Sequence, residues 1–384
     1  METPRFRERL DVVEMLFADR HAARVSAIVG TVVGEKQKFH GNLLRAGVGR
    51  PRPSLRRGRV TVRGRVARVN WLIVGAGGIG ATYGARLVAT GERVTFVARG
   101  AHLEAMQRSS LEVEHGTFRF QAAVDAVDED GLRLTRSPAE FDVIVVALKA
   151  QDTEAWLARW RPWLLTAPTP ILSLQNGVDN ESSIAEVVGA ARTFGGLAVR
   201  IGAHVEAPGR VRGEGEARVV LGVWPDGVRG AADPYLAQAM GERLERTGVP
   251  VVVTSKIEVE LWRKLMINVA MNPLSALTRL DTGVLSRDAA FAGAVVQMMR
   301  ETQEVGVAAG VALTSRDVEE MATLIRGFDP IKTSMLVDLE KGRPLELSGL
   351  SGALLRRAAA HGVAVPMVAL VHELLVRSPG VLVR

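Results

Sequence analysis

Apolar and polar positions along the chain fall into two regimes that meet near residue 255. Between 69 and 254, short apolar runs alternate with segments of helical spacing, the pattern of strands buried on both faces and joined by helices. Leu72, Ile73 and Val74 form the first such run. It stops at Gly75-Ala76-Gly77-Gly78-Ile79-Gly80; helical spacing then covers 81–89 up to Gly91, and 94–97 form the next apolar run. Further strands are expected at 141–148 (FDVIVVAL), 171–174, 195–199, 218–222 and 249–253, with a helix at 234–248 and a turn at 210–215. After Lys256 the alternation ceases. Residues 258–271, 288–310, 315–325, 334–341, 349–361 and 367–376 carry helical apolar spacing, with Gly or Pro breaks between them.

The glycine-rich turn between the first strand and its helix suits a dinucleotide. Gly75 would make the tight turn, Gly77 would let the backbone approach a pyrophosphate, and Gly80 would let the helix lie close on the strand. With Ala76, Gly78 and Ile79 they would offer free N–H groups at the positive end of the helix. The residue after the second strand selects the dinucleotide. A carboxylate there would bind the ribose 2′-OH of NAD, whereas this chain has Arg99, with His102 and Arg108 close behind. A guanidinium pairs with a 2′-phosphate, which favours NADPH/NADP+. Two later strands run into Lys149 and Asn176. Ligands bind outside the carboxyl ends of parallel strands, so both side chains are expected at the same crevice as the glycine turn.

The fold class is therefore α/β: a Rossmann N-terminal domain with a parallel sheet over 69–255, followed by an all-α C-terminal domain over 256–384. The active site is expected in the cleft between them. At 384 residues the chain is long enough for two such cores. Its 47% hydrophobic and 24% charged residues are ordinary for a globular protein.

Residues 1–68 do not fit this scheme. They read as an N-terminal extension, disordered or extraneous, dense in Arg, Gly and Pro toward its end. The formal charge of +7 also belongs there. Residues 1–70 hold 16 Lys and Arg against 6 Asp and Glu, and the remainder holds 33 against 36. No basic stripe with interleaved aromatics follows, so neither a nucleic-acid partner nor, without a long apolar run, a membrane is expected. The absence of cysteine excludes disulfides, thiolate metal sites and cysteine nucleophiles. The seven histidines never fall in HxxxH or HExxH spacing, so no metal is expected.

The second regime carries its own chemistry at Glu260-Leu-Trp-Arg-Lys264-Leu-Met-Ile-Asn268-Val-Ala-Met-Asn272-Pro273. Lys264, Asn268 and Asn272 lie four apart and share one helix face. Asparagine is a poor choice inside a helix, so a use for both is expected. A partly desolvated lysine can protonate a carbonyl oxygen as hydride reaches its carbon, and amides beside it can hold the substrate. Further on, Ser334 opens a helix as a candidate N-cap, and Glu346 follows a tight loop.

With these motifs in place the chain resembles the ketopantoate reductase (2-dehydropantoate 2-reductase) family, from about Val69 to about Val376. The likeness rests on GAGGIG with Arg99, ALKAQD with Lys149, QNG with Asn176, ELWRKLMINVAMNPL, SMLVDLEKGRPLE and HGVAVP. It implies a cytoplasmic, NADPH-dependent reductase that converts the 2-keto acid 2-dehydropantoate to (R)-pantoate on the route to pantothenate. Lys264 matches the family's proton donor, and Glu346 a glutamate that binds the substrate hydroxyl and orients the site. Asn268, Asn272 and Ser334 match residues that hold the substrate, Lys149 and Asn176 residues near the nicotinamide. A different 2-keto acid substrate remains open. So does a β-hydroxyacid or 6-phosphogluconate type of dehydrogenase, although Ile79-Gly80 and Trp262-Arg263 depart from that pattern. A sensor of NADPH without turnover would need neither Lys264 nor Glu346. The helical domain is compatible with a homodimer, but no heptad run marks an interface.

Overall fold

The computed structural model describes residues 68–327 and 330–382, so all of the expected extension except Arg68 lies outside the described residues. The strands are β1 (Asn70–Val74), β2 (Arg93–Val97), β3 (Leu111–His115), β4 (Phe118–Ala122), β5 (Asp125–Val127), β6 (Val143–Val146), β7 (Ile171–Ser173), β8 (Thr193–Val199), β9 (Gly202–Ala207), β10 (Arg210–Glu214), β11 (Arg218–Val223) and β12 (Val251–Thr254). Eight of them form one sheet in the order β12-β11-β8-β7-β6-β1-β2-β5. Pairing is parallel throughout this sheet except between β8 and β11. The apolar runs explain the parallel centre: Leu72, Ile73, Ile144, Val146, Ile171 and Leu172 are fully buried, as strands covered on both faces require.

The chain leaves β1 toward β2 on one side and meets β6 on the other, so the order reverses between β1 and β6. That is the switch point where a crevice opens beyond the strand ends. Helices α1 (Gly78–Ala89), α2 (Gly100–Arg108), α3 (Glu129–Thr135), α4 (Thr153–Leu164), α5 (Asn180–Val188) and α6 (Pro234–Glu245) accompany the sheets.

Residues 210–215, expected as a turn, are instead mostly strand β10. It pairs parallel with β3 and antiparallel with β9 in a four-stranded sheet ordered β4-β3-β10-β9. The glycines that suggest a turn have another cause. A Cβ on Gly213 would lie 2.5 Å from the His115 ring on β3, so the strand needs a bare backbone there. Val211 alone anchors it, completely buried.

From Lys256 onward the described chain is helical: α7 (Ile257–Thr278), α8 (Thr282–Arg287), α9 (Ala289–Ala308), α10 (Ser315–Arg326), α11 (Ser334–Glu340), α12 (Ser351–His361) and α13 (Pro366–Val376). The α7 helix passes through Pro273, although an interior proline costs a helix about 3 kcal/mol. Burial of Leu274, Ser275 and Ala276 in the following turn offsets that cost. The core of the helical region runs on into the sheet through Leu197, Val199 and Val220, with α7 as the shared element. At Gly195 a Cβ would stand 2.9 Å from Ile257, so a glycine lets α7 lie directly on β8.

Candidate active site

The glycine turn is shaped by close approach. Gly75 has φ +100°, and the N–H groups of Gly75 and Ala76 donate to Val97 O at 3.3 and 3.0 Å, which ties the ends of β1 and β2 together. A Cβ on Gly80 would meet Gly75 O at 2.1 Å, so the helix lies as close to the strand as expected. Gly77 is the N-cap of α1 with no side-chain cap, and the space beside its Cα is open. Gly78 has a role that spacing did not reveal. Its Cβ would lie 1.9 Å from Ala203 O, because β9 crosses directly over the start of α1. Gly78→Ala is expected to destabilise the protein by about 1–3 kcal/mol through overpacking against backbone, read as a lower Tm. An unchanged Tm would show that β9 does not press on the turn.

Arg99 caps the start of α2 beyond β2, with its side chain 83% exposed and only a 3.9 Å approach to Asp152. His102 does not join it. Its Nδ1 accepts from Gly209 N–H at 3.0 Å, which leaves the proton on Nε2 to donate to Ala76 O at 3.0 Å. Burial holds the imidazole below its ordinary pKa, in keeping with this neutral brace on the glycine turn. Arg108 pairs instead with Glu104 one helical turn earlier.

Lys149 and Asn176 stand beyond β6 and β7. The Asn176 loop is fixed by three successive bonds: Gln175 Nε2 donates to Thr153 Oγ1 at 2.7 Å, Thr153 to Asn180 Oδ1 at 3.1 Å, and Asn180 Nδ2 to Asn176 O at 2.9 Å. Gln175 also donates to Leu148 O at 3.0 Å and so joins the two strand-end loops. Lys149 reaches across to the helical region, with Nζ 3.3 Å from Asp338 Oδ2 and 3.4 Å from Glu346 Oε2.

Lys264 meets this group from the middle of α7. Its Nζ donates to Ala198 O on β8 at 2.7 Å. Burial pushes the ammonium down to about 8, while the carboxylates of Glu346 and Glu181 act in the opposite sense. Lys149, Glu346 and Lys264, widely separated in sequence, thus form one charged cluster. Asn268 and Asn272 follow on the same helix, partly and fully buried, and neither amide bonds another described residue. Ser334 is exposed at the start of α11, which packs on α7. The N-cap is Thr333, whose Oγ1 accepts from Leu336 N–H at 3.2 Å, so the capping role considered for Ser334 is not its own. That leaves the Ser334 hydroxyl without a structural partner among the described residues.

Known proteins share this architecture. The sequence profile of ketopantoate reductase PanE/ApbA matches residues 71–226, and that of its C-terminal part matches 256–377. The chain belongs to the ketopantoate reductase family. A 2-dehydropantoate 2-reductase of Mesorhizobium japonicum is 32% identical over 306 residues, covering 73% of this chain and 89% of that protein. The crystal structure of 2-dehydropantoate 2-reductase from Geobacter metallireducens has a TM-score of 0.69 at 29% identity, covering 80% of this chain and 99% of the other. A ternary structure of D-mandelate dehydrogenase with NADH and anilino(oxo)acetate has a TM-score of 0.71 at 23% identity, covering 79% and 96%, and shows the same fold.

The ketopantoate reductase family comprises oxidoreductases that act on CH–OH groups. Within this member, three features of the cluster carry roles that the motifs did not assign. Asp338 shares Lys149 with Glu346 and also approaches Arg343 at 3.8 Å. Thr153 and Asn180 carry the bonds that fix the Asn176 loop. Glu181 is a fully buried carboxyl in the first turn of α5. Charge on the polar side of a helix is the usual reading for such residues, and only packing shows otherwise.

Proposed function

We propose that this chain reduces 2-dehydropantoate to (R)-pantoate in pantothenate biosynthesis, with NADPH as the reductant. The observation that carries the reading is Lys264: an ammonium brought down to about 8 by burial, beside the Glu346 carboxylate. A proton donor works best when its pKa lies near the operating pH.

The residues present suit a dinucleotide. The uncapped start of α1 and the open space at Gly77 fit a pyrophosphate, and the exposed Arg99 guanidinium fits a 2′-phosphate. When bound, a dihydronicotinamide supplies the hydride for the keto carbon. Lys264 then gives one N–H proton to the developing alkoxide and keeps its bond to Ala198 O, which aims Nζ. Glu346 accepts from a substrate hydroxyl and keeps the lysine charged. Asn268, Asn272 and Ser334, which bond no other described residue, hold the rest of the acid, while Lys149 and Asn176 border the nicotinamide end. In this reading residues 69–255 bind the cofactor and 256–384 bind and protonate the substrate.

Purified protein incubated with NADPH and 2-dehydropantoate, beside other branched 2-keto acids, tests the proposal through loss of NADPH absorbance. Saturable turnover that prefers 2-dehydropantoate is the expected result. Turnover on another keto acid alone would move the protein to a different substrate, and none on any would sink the enzymatic reading. Because the acid form of Lys264 is the active one, kcat/KM for reduction should fall as pH rises through about 8. A rate undiminished well above that pH would remove Lys264 as donor.

A further inference from the structure

One titratable side chain in this region has no part in the mechanism above. Glu181 is fully buried, and neither carboxyl oxygen has a hydrogen-bonding partner among the described residues. Burial lifts the carboxyl to about 7, and Asp179 and Glu258 act in the same direction. Ser173 and the Glu181 backbone oppose the rise only in part. Buried polar groups are ordinarily satisfied, so an orphaned carboxyl points to a purpose.

The neighbour that gains from it is Lys264. Helices α5 and α7 both pack on β8, and Lys264 Nζ is held to Ala198 of that strand at 2.7 Å. Two carboxylates favour the ammonium. Glu346 acts from the helical region and is shared with Lys149 at 3.4 Å. Glu181 acts from the first turn of α5 and forms no contact ion pair with a described residue. We propose that Glu181 is a positioning residue for Lys264, a buried carboxyl at the start of α5 that keeps the ammonium charged and ready at the crevice. The proposal rests on the proton-donor reading of Lys264.

The surrounding charges make the effect depend on pH. Around Lys264 stand Glu346 and Glu181, with Lys149, Asp338 and Arg343 behind Glu346. Around Glu181 stand Glu258 and Asp179, the latter tied to Arg356 and Arg357. As pH rises through about 7 Glu181 turns negative, just below the range near 8 in which Lys264 begins to lose its proton. Without that charge, burial acts against Glu346 alone, and Lys264 gives up its proton at lower pH.

The test is the pH dependence of kcat/KM for keto-acid reduction in Glu181→Gln, Glu181→Asp and the unaltered protein, with Tm measured across the same range. Glutamine keeps the shape and removes the charge. Its alkaline limb is expected to move down by about one pH unit, the scale of a nearby opposite charge. Stability should not fall above pH 7. Folding raises the Glu181 pKa, so the stability this carboxyl contributes is lost as pH climbs through about 7, and its removal leaves Tm there equal or higher. Glu181→Asp should return the limb toward its original place. An unmoved limb in Glu181→Gln would overturn the proposal, as would lower kcat/KM at every pH together with a lower Tm. A Lys264→Ala control separates the two ideas. Full activity there removes the donor reading and the proposal with it, whereas an unmoved limb beside an inactive control rejects Glu181 alone.

Discussion

Lys264→Ala is expected to lower kcat for keto-acid reduction by about 10²-fold or more, the scale of losing a positioned general acid. The side chain sits where both halves of the role are met. It is buried enough to bring the ammonium down to about 8, and its Nζ is oriented by Ala198 O. Alanine removes the proton and the orientation together. Lys264→Met keeps most of the packing while removing the donor and its bond to Ala198 O, and it should lose nearly as much. Lys264→Arg should also fail as a replacement, because a guanidinium keeps its proton at any working pH and is held in a different geometry. In all three the equilibrium Kd for NADPH should stay near that of the unaltered protein, because Arg99 and the glycine turn are remote in the chain and untouched. Near-normal kcat in Lys264→Ala would remove this residue from the chemistry.

Arg99→Asp should raise the Kd for NADPH by about 10²-fold and leave that for NADH little changed. The guanidinium is 83% exposed and approaches Asp152 only at 3.9 Å, so it is available for a phosphate. Charge-assisted bonds of this kind contribute about 1.5–3 kcal/mol, and a carboxylate in place of the guanidinium adds repulsion to the loss. Asp152 would then face a second carboxylate, which strengthens the effect on an anionic ligand. Titration of both cofactors by fluorescence decides the matter. Equal weakening of NADPH and NADH would mean that Arg99 supports the loop and does not select the 2′-phosphate.

The site residues were legible to different degrees for physical reasons. Lys264, Asn268 and Asn272 could be placed on one face because helical periodicity is a property of neighbouring residues, and α7 follows it. The cap of α11 is Thr333 and not Ser334; two neighbouring hydroxyls suit the role equally well in sequence, and one residue of helix phase decides between them. His102 looked like a companion to Arg99 in sequence. Folding brought Gly209 and Ala76 to its two nitrogens and made it a brace. Gln175, with no assigned use in the linear pattern, proved to join the loops after β6 and β7.

Alternating apolar runs, the glycine turn and the later helical spacing were enough to determine an α/β sheet followed by a helical region, because each depends on burial within a single element. The strands of the small sheet are not legible in the apolar pattern. β10 has one anchoring side chain, and its partner β3 is remote in the chain. The tertiary structure alone decided that Lys149 meets Glu346, that β9 crosses Gly78, and that Glu181 is fully buried. Each depends on which distant segments close over one another. A charge takes its value from the burial and the partners it finally receives, and periodicity along the chain carries no record of either.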